Sequence, residues 1–175
     1  MKNKCILFLT AVACFFLQST LLQKIAIGSI SPNLLVIFVV SVGLMRGSKT
    51  AMFAGFFTGL LDDLCFGGVV GLNAFLYMAI GCLCGFSCKI YYDNNIKVPV
   101  ILVMINDLVY NMGIFVFTFL LRGRIHFLFY LQRIIIPELI YTILLTVITY
   151  KIFYFINYRF MEQDRKEGNT NWLLR

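Results

Sequence analysis

Residues 98–121 read VPVILVMINDLVYNMGIFVFTFLL, a run whose one formal charge is Asp107. As a helix it would be about 36 Å long at 1.5 Å per residue, more than the ~30 Å of hydrocarbon in a bilayer. Working outward, further apolar runs lie at 5–23, 31–45, 50–66, 71–90 and 128–157. The whole chain of 175 residues agrees with that reading, being 61% apolar and 13% charged, with a mean hydropathy of +0.88. Soluble domains are about 45–50% apolar and about 25% charged, so the solvent of this chain is lipid. The pattern predicts an all-α integral membrane protein with about six transmembrane helices over residues 1–157. Only 158–175 has a soluble composition, which predicts a short charged cytoplasmic tail. The run 31–45, between Pro32 and Arg46, is short for a full crossing, and 50–66 is Gly-rich and ends on Asp62-Asp63, so either is tilted or partly re-entrant.

The loop charges orient such a chain. If all six runs cross, one side holds Lys2, Lys4, Arg46, Lys49, Lys89, Lys97, Lys151, Arg159, Arg165, Lys166 and Arg175, and the other holds Lys24, Arg122, Arg124 and Arg133. Eleven against four predicts by the positive-inside rule that both termini are cytoplasmic, as an even number of spans requires. Met1-Lys2-Asn3-Lys4 before an apolar stretch is like a signal peptide, but Gln18-Ser19-Thr20 stands where a small-x-small cleavage site belongs, so an uncleaved first span is expected. The net charge of +7 is scattered between spans and forms no patch that tracks a phosphate backbone, which argues against nucleic acid as a partner.

Little in the chain suggests catalysis or a cofactor. Nucleotide-binding glycine loops, nucleophile elbows and His-Glu-x-x-His helices are absent, and His126 is the only histidine. Cys82 and Cys84 lie about 200° apart on a helix, so they and Cys88 make no closed metal site. Most cysteines sit in apolar runs, where they pack as small hydrophobes.

Polar and small residues inside apolar runs carry more information, because such groups normally face protein. Gly55-x-x-x-Gly59-x-x-Asp62 places two glycines and an acid on one helix face, and Asn73, Tyr77, Gly81 and Gly85 recur at intervals of four. Both stripes suit close approach of another helix. Tight internal packing is the favoured use of the second, a partner-facing groove the other, and Gly59→Leu is expected to weaken partner retention while the chain still inserts. Asp107 has Tyr110 and Asn111 on its face, and Glu138 continues into Thr142, Thr146 and Thr149. Counting from flanking charges places Asp107 about 4 Å to the inner side of the midplane and Glu138 about 6 Å to the outer side, so the two are not expected to share a proton. An ion or proton carrier resting on these two acids would want further acids or a histidine on the same face.

Ser31-Pro32-Asn33-Leu34-Leu35, Gly43-Leu44-Met45-Arg46-Gly47, the stretch from Ala54-Gly55 to Asp62-Asp63, and Gly71-Leu72-Asn73-Ala74-Phe75 together resemble the bacterial rod shape-determining protein MreD family in order and spacing. Arg133 with Pro137-Glu138-Leu139 is similar to that family's last-span motif, so the resemblance covers about 1–157. It implies a non-enzymatic, multi-pass scaffold of the bacterial cytoplasmic (inner) membrane, without cofactor, in the cell-elongation machinery for peptidoglycan. The partners it implies are MreC, and directly or indirectly MreB filaments, the RodA glycosyltransferase and a class B penicillin-binding protein. The fold it implies resembles the substrate-binding subunit of energy-coupling-factor transporters. Gly55, Gly59, Asp62, Gly71 and Asn73 match the central motif, and Asp63 beside Asp62 departs from it. Together with Gly81, Gly85, Asp107, Arg133, Pro137 and Glu138, these are the expected packing or partner-interface residues. The competing reading is the substrate-capture subunit of an energy-coupling-factor type vitamin transporter, with Asn73, Tyr77, Asn106, Asp107 and Glu138 converging on a cavity. Against it, Ala11 and Ala13 lack the spacing by which such subunits engage coupling helices.

Overall fold

A computed structural model describes residues 2–24, 31–66, 70–86, 97–120 and 130–173. Cys88, Lys89, Arg122, Arg124 and His126 lie outside the described residues, and with them part of the charge argument. Among the described residues the chain forms six α-helices and no strand. These are α1 (Lys2–Leu17), α2 (Leu34–Arg46), α3 (Ser48–Phe66), α4 (Leu72–Phe86), α5 (Lys97–Ile114) and α6 (Ile136–Leu173). Wider π-helical turns continue α1 over Gln18–Leu22 and α5 over Phe115–Leu120, and lead into α6 over Leu131–Ile135. Pro137 has no N–H to give to the carbonyl of Arg133, and the ladder directly before it is the widened one. The helix that starts there runs on through residues 158–173 without a break at the boundary that composition marks.

The short run 31–45 becomes the centre of the bundle. Every residue of α2 from Leu34 to Leu44 is buried within the protein, one of the two settings that suit a helix apolar on all sides. Its 13 residues span about 20 Å, less than a bilayer's hydrocarbon. α1, α3, α4, α5 and α6 pack around it. Phe38 meets the Phe153 ring edge-on at 5.7 Å, tying α2 to α6. At its C-terminus Gly47 adopts φ 81° and donates its N–H to the Gly43 carbonyl. That left-handed residue lets α3 start at the next position, Ser48.

α3 and α4 pack antiparallel and closer than side chains normally permit. A Cβ added to Gly59 would stand 2.5 Å from the Ala74 Cα, and one on Gly81 2.5 Å from the Ala51 carbonyl oxygen. Gly55 faces the Tyr77 carbonyl and Gly85 faces Ser48 in the same manner. The two stripes read from the sequence are therefore each other's partner. Gly59 stands against the backbone of α4, one of the packing roles expected of it.

Val98–Phe117 and Leu131–Phe153 are long and apolar enough to cross a membrane, and shorter apolar helices occupy Leu7–Leu22, Leu34–Arg46 and Leu72–Phe86. Only 28% and 17% of the two long stretches is buried inside the protein. Ile101, Ile105 and Leu108 of α5, and Ile140, Leu144 and Ile148 of α6, point outward. An outward apolar surface of this kind suits lipid rather than water.

Gly59→Leu and Gly81→Leu should each cost about 3 kcal/mol, because the obstacle is backbone that cannot rotate aside. Leu83→Ala, on the exposed side of α4, should stay within about 0.5 kcal/mol. Thermal unfolding in detergent separates these outcomes, and a Gly59→Leu protein that melts like the parent would refute the close α3–α4 contact.

Candidate functional site: a polar network at one end of the bundle

The chain reverses between α3 and α4 on a carboxylate. Asp63, 2% exposed, accepts the main-chain N–H of Gly71 at 2.9 Å, of Asn73 at 3.2 Å and of Ala74 at 3.0 Å. It thus caps the first turn of α4 from the last turn of α3, satisfying donors that a helix start leaves open and meeting the positive end of the helix dipole. Gly71 supplies the backbone for this turn with φ 98°. Its neighbour Asp62 accepts the Asn73 side-chain amide at 2.8 Å.

From Asn73 the network crosses to the other helices. Tyr110 of α5 donates its hydroxyl to Asn73 Oδ1 at 3.1 Å and stacks on Tyr77 of α4, with ring centroids 4.9 Å apart and planes 11° from parallel. Tyr77 donates to Asn33 Oδ1 at 3.2 Å, and that same oxygen accepts the Val36 N–H at 3.1 Å as the N-cap of α2. The Asn33 N–H goes to Thr142 Oγ1 of α6 at 3.2 Å, and Thr142 donates to the Glu138 carbonyl at 2.8 Å. Gln18, in the π-turn after α1, accepts from the Leu34 N–H at 2.8 Å and donates to the Pro32 carbonyl at 3.1 Å. The start of α2 is thereby anchored to α1, α4 and α6 by hydrogen bonds between small polar groups.

Several expected residues come together here and several do not. Gly71, Asn73 and Asp62 belong to the network, and Glu138 joins through its main chain. Gly55, Gly59, Gly81 and Gly85 lie along the α3–α4 contact instead. Arg133 and Pro137 stand at the entry to α6, in the π-turn and just after it. Asp107 is fully buried, and both its carboxyl oxygens lack a hydrogen-bond partner. Glu138 lies within electrostatic reach of it, and the Glu138 side chain neighbours Asn111. α5 and α6 pack against each other, and Glu138 acts electrostatically on Asp107 across that contact.

Asn33, Asp63, Tyr110 and Thr142 carry more of the network than spacing alone indicated. Asn33 between Pro32 and an apolar run has the look of a helix N-cap. Asp63 had no such signal, because its partners lie eight to eleven positions further on.

The arrangement holds no nucleophile beside a base and, among the described residues, no group of three Asp, Glu, His or Cys fit for a metal ion. What it does chemically is lock the ends of five helices. Asp63→Ala, which strands three buried N–H groups, should cost about 3 kcal/mol, and Tyr110→Phe, which keeps the stack and loses one hydrogen bond, about 1 kcal/mol. Thermal unfolding tests both, and equal losses would show that the carboxylate is not the main anchor.

The family model for rod shape-determining protein MreD matches residues 2–162. Neither a curated protein nor a solved structure gives a match. The match takes in α1 to α5 whole and the first part of α6, including the motif around Pro137 and Glu138. This chain belongs to the MreD family of bacterial membrane proteins, whose role is in determining rod cell shape.

Proposed function

We propose that this chain is a non-enzymatic scaffold of the cell-elongation complex that synthesises peptidoglycan. It crosses the bacterial cytoplasmic membrane six times with both termini inside, in a fold resembling the substrate-binding subunit of energy-coupling-factor transporters, and ends in a short cytoplasmic tail after residue 157. In that position it binds MreC and links MreB filaments to RodA and a class B penicillin-binding protein. The observation that carries the reading is the family match over residues 2–162. The chemistry of the interior supports it. Asn73, Tyr77, Tyr110 and Asn33 spend their polar groups on one another, as a fixed framework does, and the Tyr77–Tyr110 stack fills the space between α4 and α5.

The same closure weighs against capture of a vitamin-sized ligand, which needs polar groups free to converge on it. With the glycine seams filled from within, partner spans are left the outer apolar faces of the bundle and the helix ends. Without a hydrophobic drive in lipid, their affinity rests on packing and a few hydrogen bonds.

Gentle solubilisation of native membranes followed by mass spectrometry of what co-purifies tests this reading. Recovery of MreC with RodA and the class B penicillin-binding protein is the expected result. Recovery of a vitamin, or of ATPase and coupling subunits, would overturn it in favour of a transporter subunit. Topology has its own test in a chain whose native cysteines have been replaced: Gly47→Cys should react with an impermeant thiol reagent only from the cytoplasmic side, and Gly67→Cys only from the outside.

A further inference from the structure

Among the described residues the apolar interior falls into two parts. The main core draws on all six helices, and its last member in α5 is Tyr110 and its first in α6 is Leu145. A second, smaller cluster is built by the joined ends of α5 and α6 alone: Phe115, Tyr130 and Ile135, with Leu131, Ile134 and Leu139 packed against them. The Phe115 and Tyr130 rings stand 5.2 Å apart. Between the two lie Asn111 of α5 and Thr142 of α6, which give their side-chain protons to the Asp107 and Glu138 carbonyls of their own helices. Apolar contact is therefore interrupted in both helices before the second cluster begins.

The regular helical ladder is interrupted there as well. In α5, Gly113 is followed by the wide turn Phe115–Leu120, and in α6 the wide turn Leu131–Ile135 is followed by Pro137, which returns no N–H to the Arg133 carbonyl. The Phe115–Tyr130 contact on one side and the Asn111–Glu138 contact on the other bracket these features, so the two breaks come at one height. Prolines and π-turns are where helices bend. On the near side of the break α5 is held to α4: a Cβ on Gly113 would stand 2.6 Å from Leu76 Cδ2, and the Tyr110 hydroxyl bonds Asn73 at 3.1 Å. On the far side the second cluster takes residues from α5 and α6 only, and Val116, Phe117 and Ile136 next to it are exposed. A segment with few buried contacts and a widened ladder opens at lower cost than the core it adjoins.

We propose that Phe115–Leu120 and Leu131–Ile135 form a hinged tip that tilts as one body against the bundle, bending at Gly113 in α5 and Pro137 in α6. The tip keeps its own cluster through the movement, and the bundle keeps the hydrogen bonds of Tyr110 and Thr142. Tilting changes the direction in which Val116 and Phe117 face, so a partner that grips them selects one tilt from those already populated. The device gives the chain an adjustable contact and does not depend on which proteins a scaffold would hold.

The full-length protein in lipid nanodiscs, with its native cysteines replaced, gives the test through distances between pairs of spin labels. Phe117→Cys with Phe75→Cys spans the hinge, and Ile101→Cys with Leu83→Cys is the control pair on α5 and α4 below it; all four side chains are exposed. The spanning pair should give a distance distribution about twice as wide as the control. Pro137→Ala, which restores an N–H facing the Arg133 carbonyl, should remove at least about half of that excess and leave the control pair unchanged, which also shows that the fold is kept. In the unsubstituted protein, amides in 115–120 and 131–135 should exchange their hydrogens at least about tenfold faster than those in 101–110 and 142–150. A spanning pair as narrow as the control, a spread that Pro137→Ala leaves as it was, or equal exchange in the two regions would each overturn the proposal. The exchange arm needs no substitution, so a misfolded variant does not rescue the idea.

Discussion

The rest of the bundle depends on the backbone contact between α3 and α4. Membrane helices gain nothing from hiding apolar surface from one another, since lipid tails are as apolar as they are. Attraction has to come from dispersion over many close atoms, which needs backbones near enough to touch. Gly55 and Gly59 on one helix and Gly81 and Gly85 on the other make that possible, each standing where a neighbour's main chain would strike a Cβ. With α3 and α4 held as one unit, Asp63 is brought onto the open N–H groups of α4, and Asn73 is brought within reach of Tyr110. Loosening the seam would therefore undo the polar network as well as the packing.

The second layer of stability is hydrogen bonding at the end of the bundle where α3 hands over to α4. Each bond there is modest, yet each leaves a costly orphan if its partner is removed, because little water reaches these groups. The network visits α2, α3, α4, α5 and α6 in turn, and Gln18 adds the turn after α1. It fixes the place of α2, a short apolar helix buried from Leu34 to Leu44 among the other helices. The interior closes on its own hydrogen bonds while Ile and Leu face outward, in a family whose role is in determining rod cell shape.

Asp107 stands apart from both layers. It is fully buried, and its carboxyl oxygens take no part in the hydrogen bonds that tie Asn106, Asn111 and Thr142 to main-chain carbonyls.

Much of the architecture was legible in the residues. Apolar run lengths placed the helices, because hydrophobic length answers to a membrane thickness that is the same for every chain. Glycines at intervals of four marked the faces of α3 and α4, and Pro32 and Arg46 bracketed α2, since helix ends and close approach are local demands on backbone and side chain. Partners in space were not legible. Nothing local distinguishes a glycine stripe that meets a sister helix from one that meets another protein, or says that Asp63 rather than Asp62 would take three main-chain donors. The depth of Asp107 relative to Glu138 was not legible for the same reason, as sequence says where a residue lies along its own helix and not how two helices slide. The sequence determined a membrane bundle and the faces it had to cover; the tertiary structure decided which face covers which, because helix register is settled by packing between segments far apart in the chain.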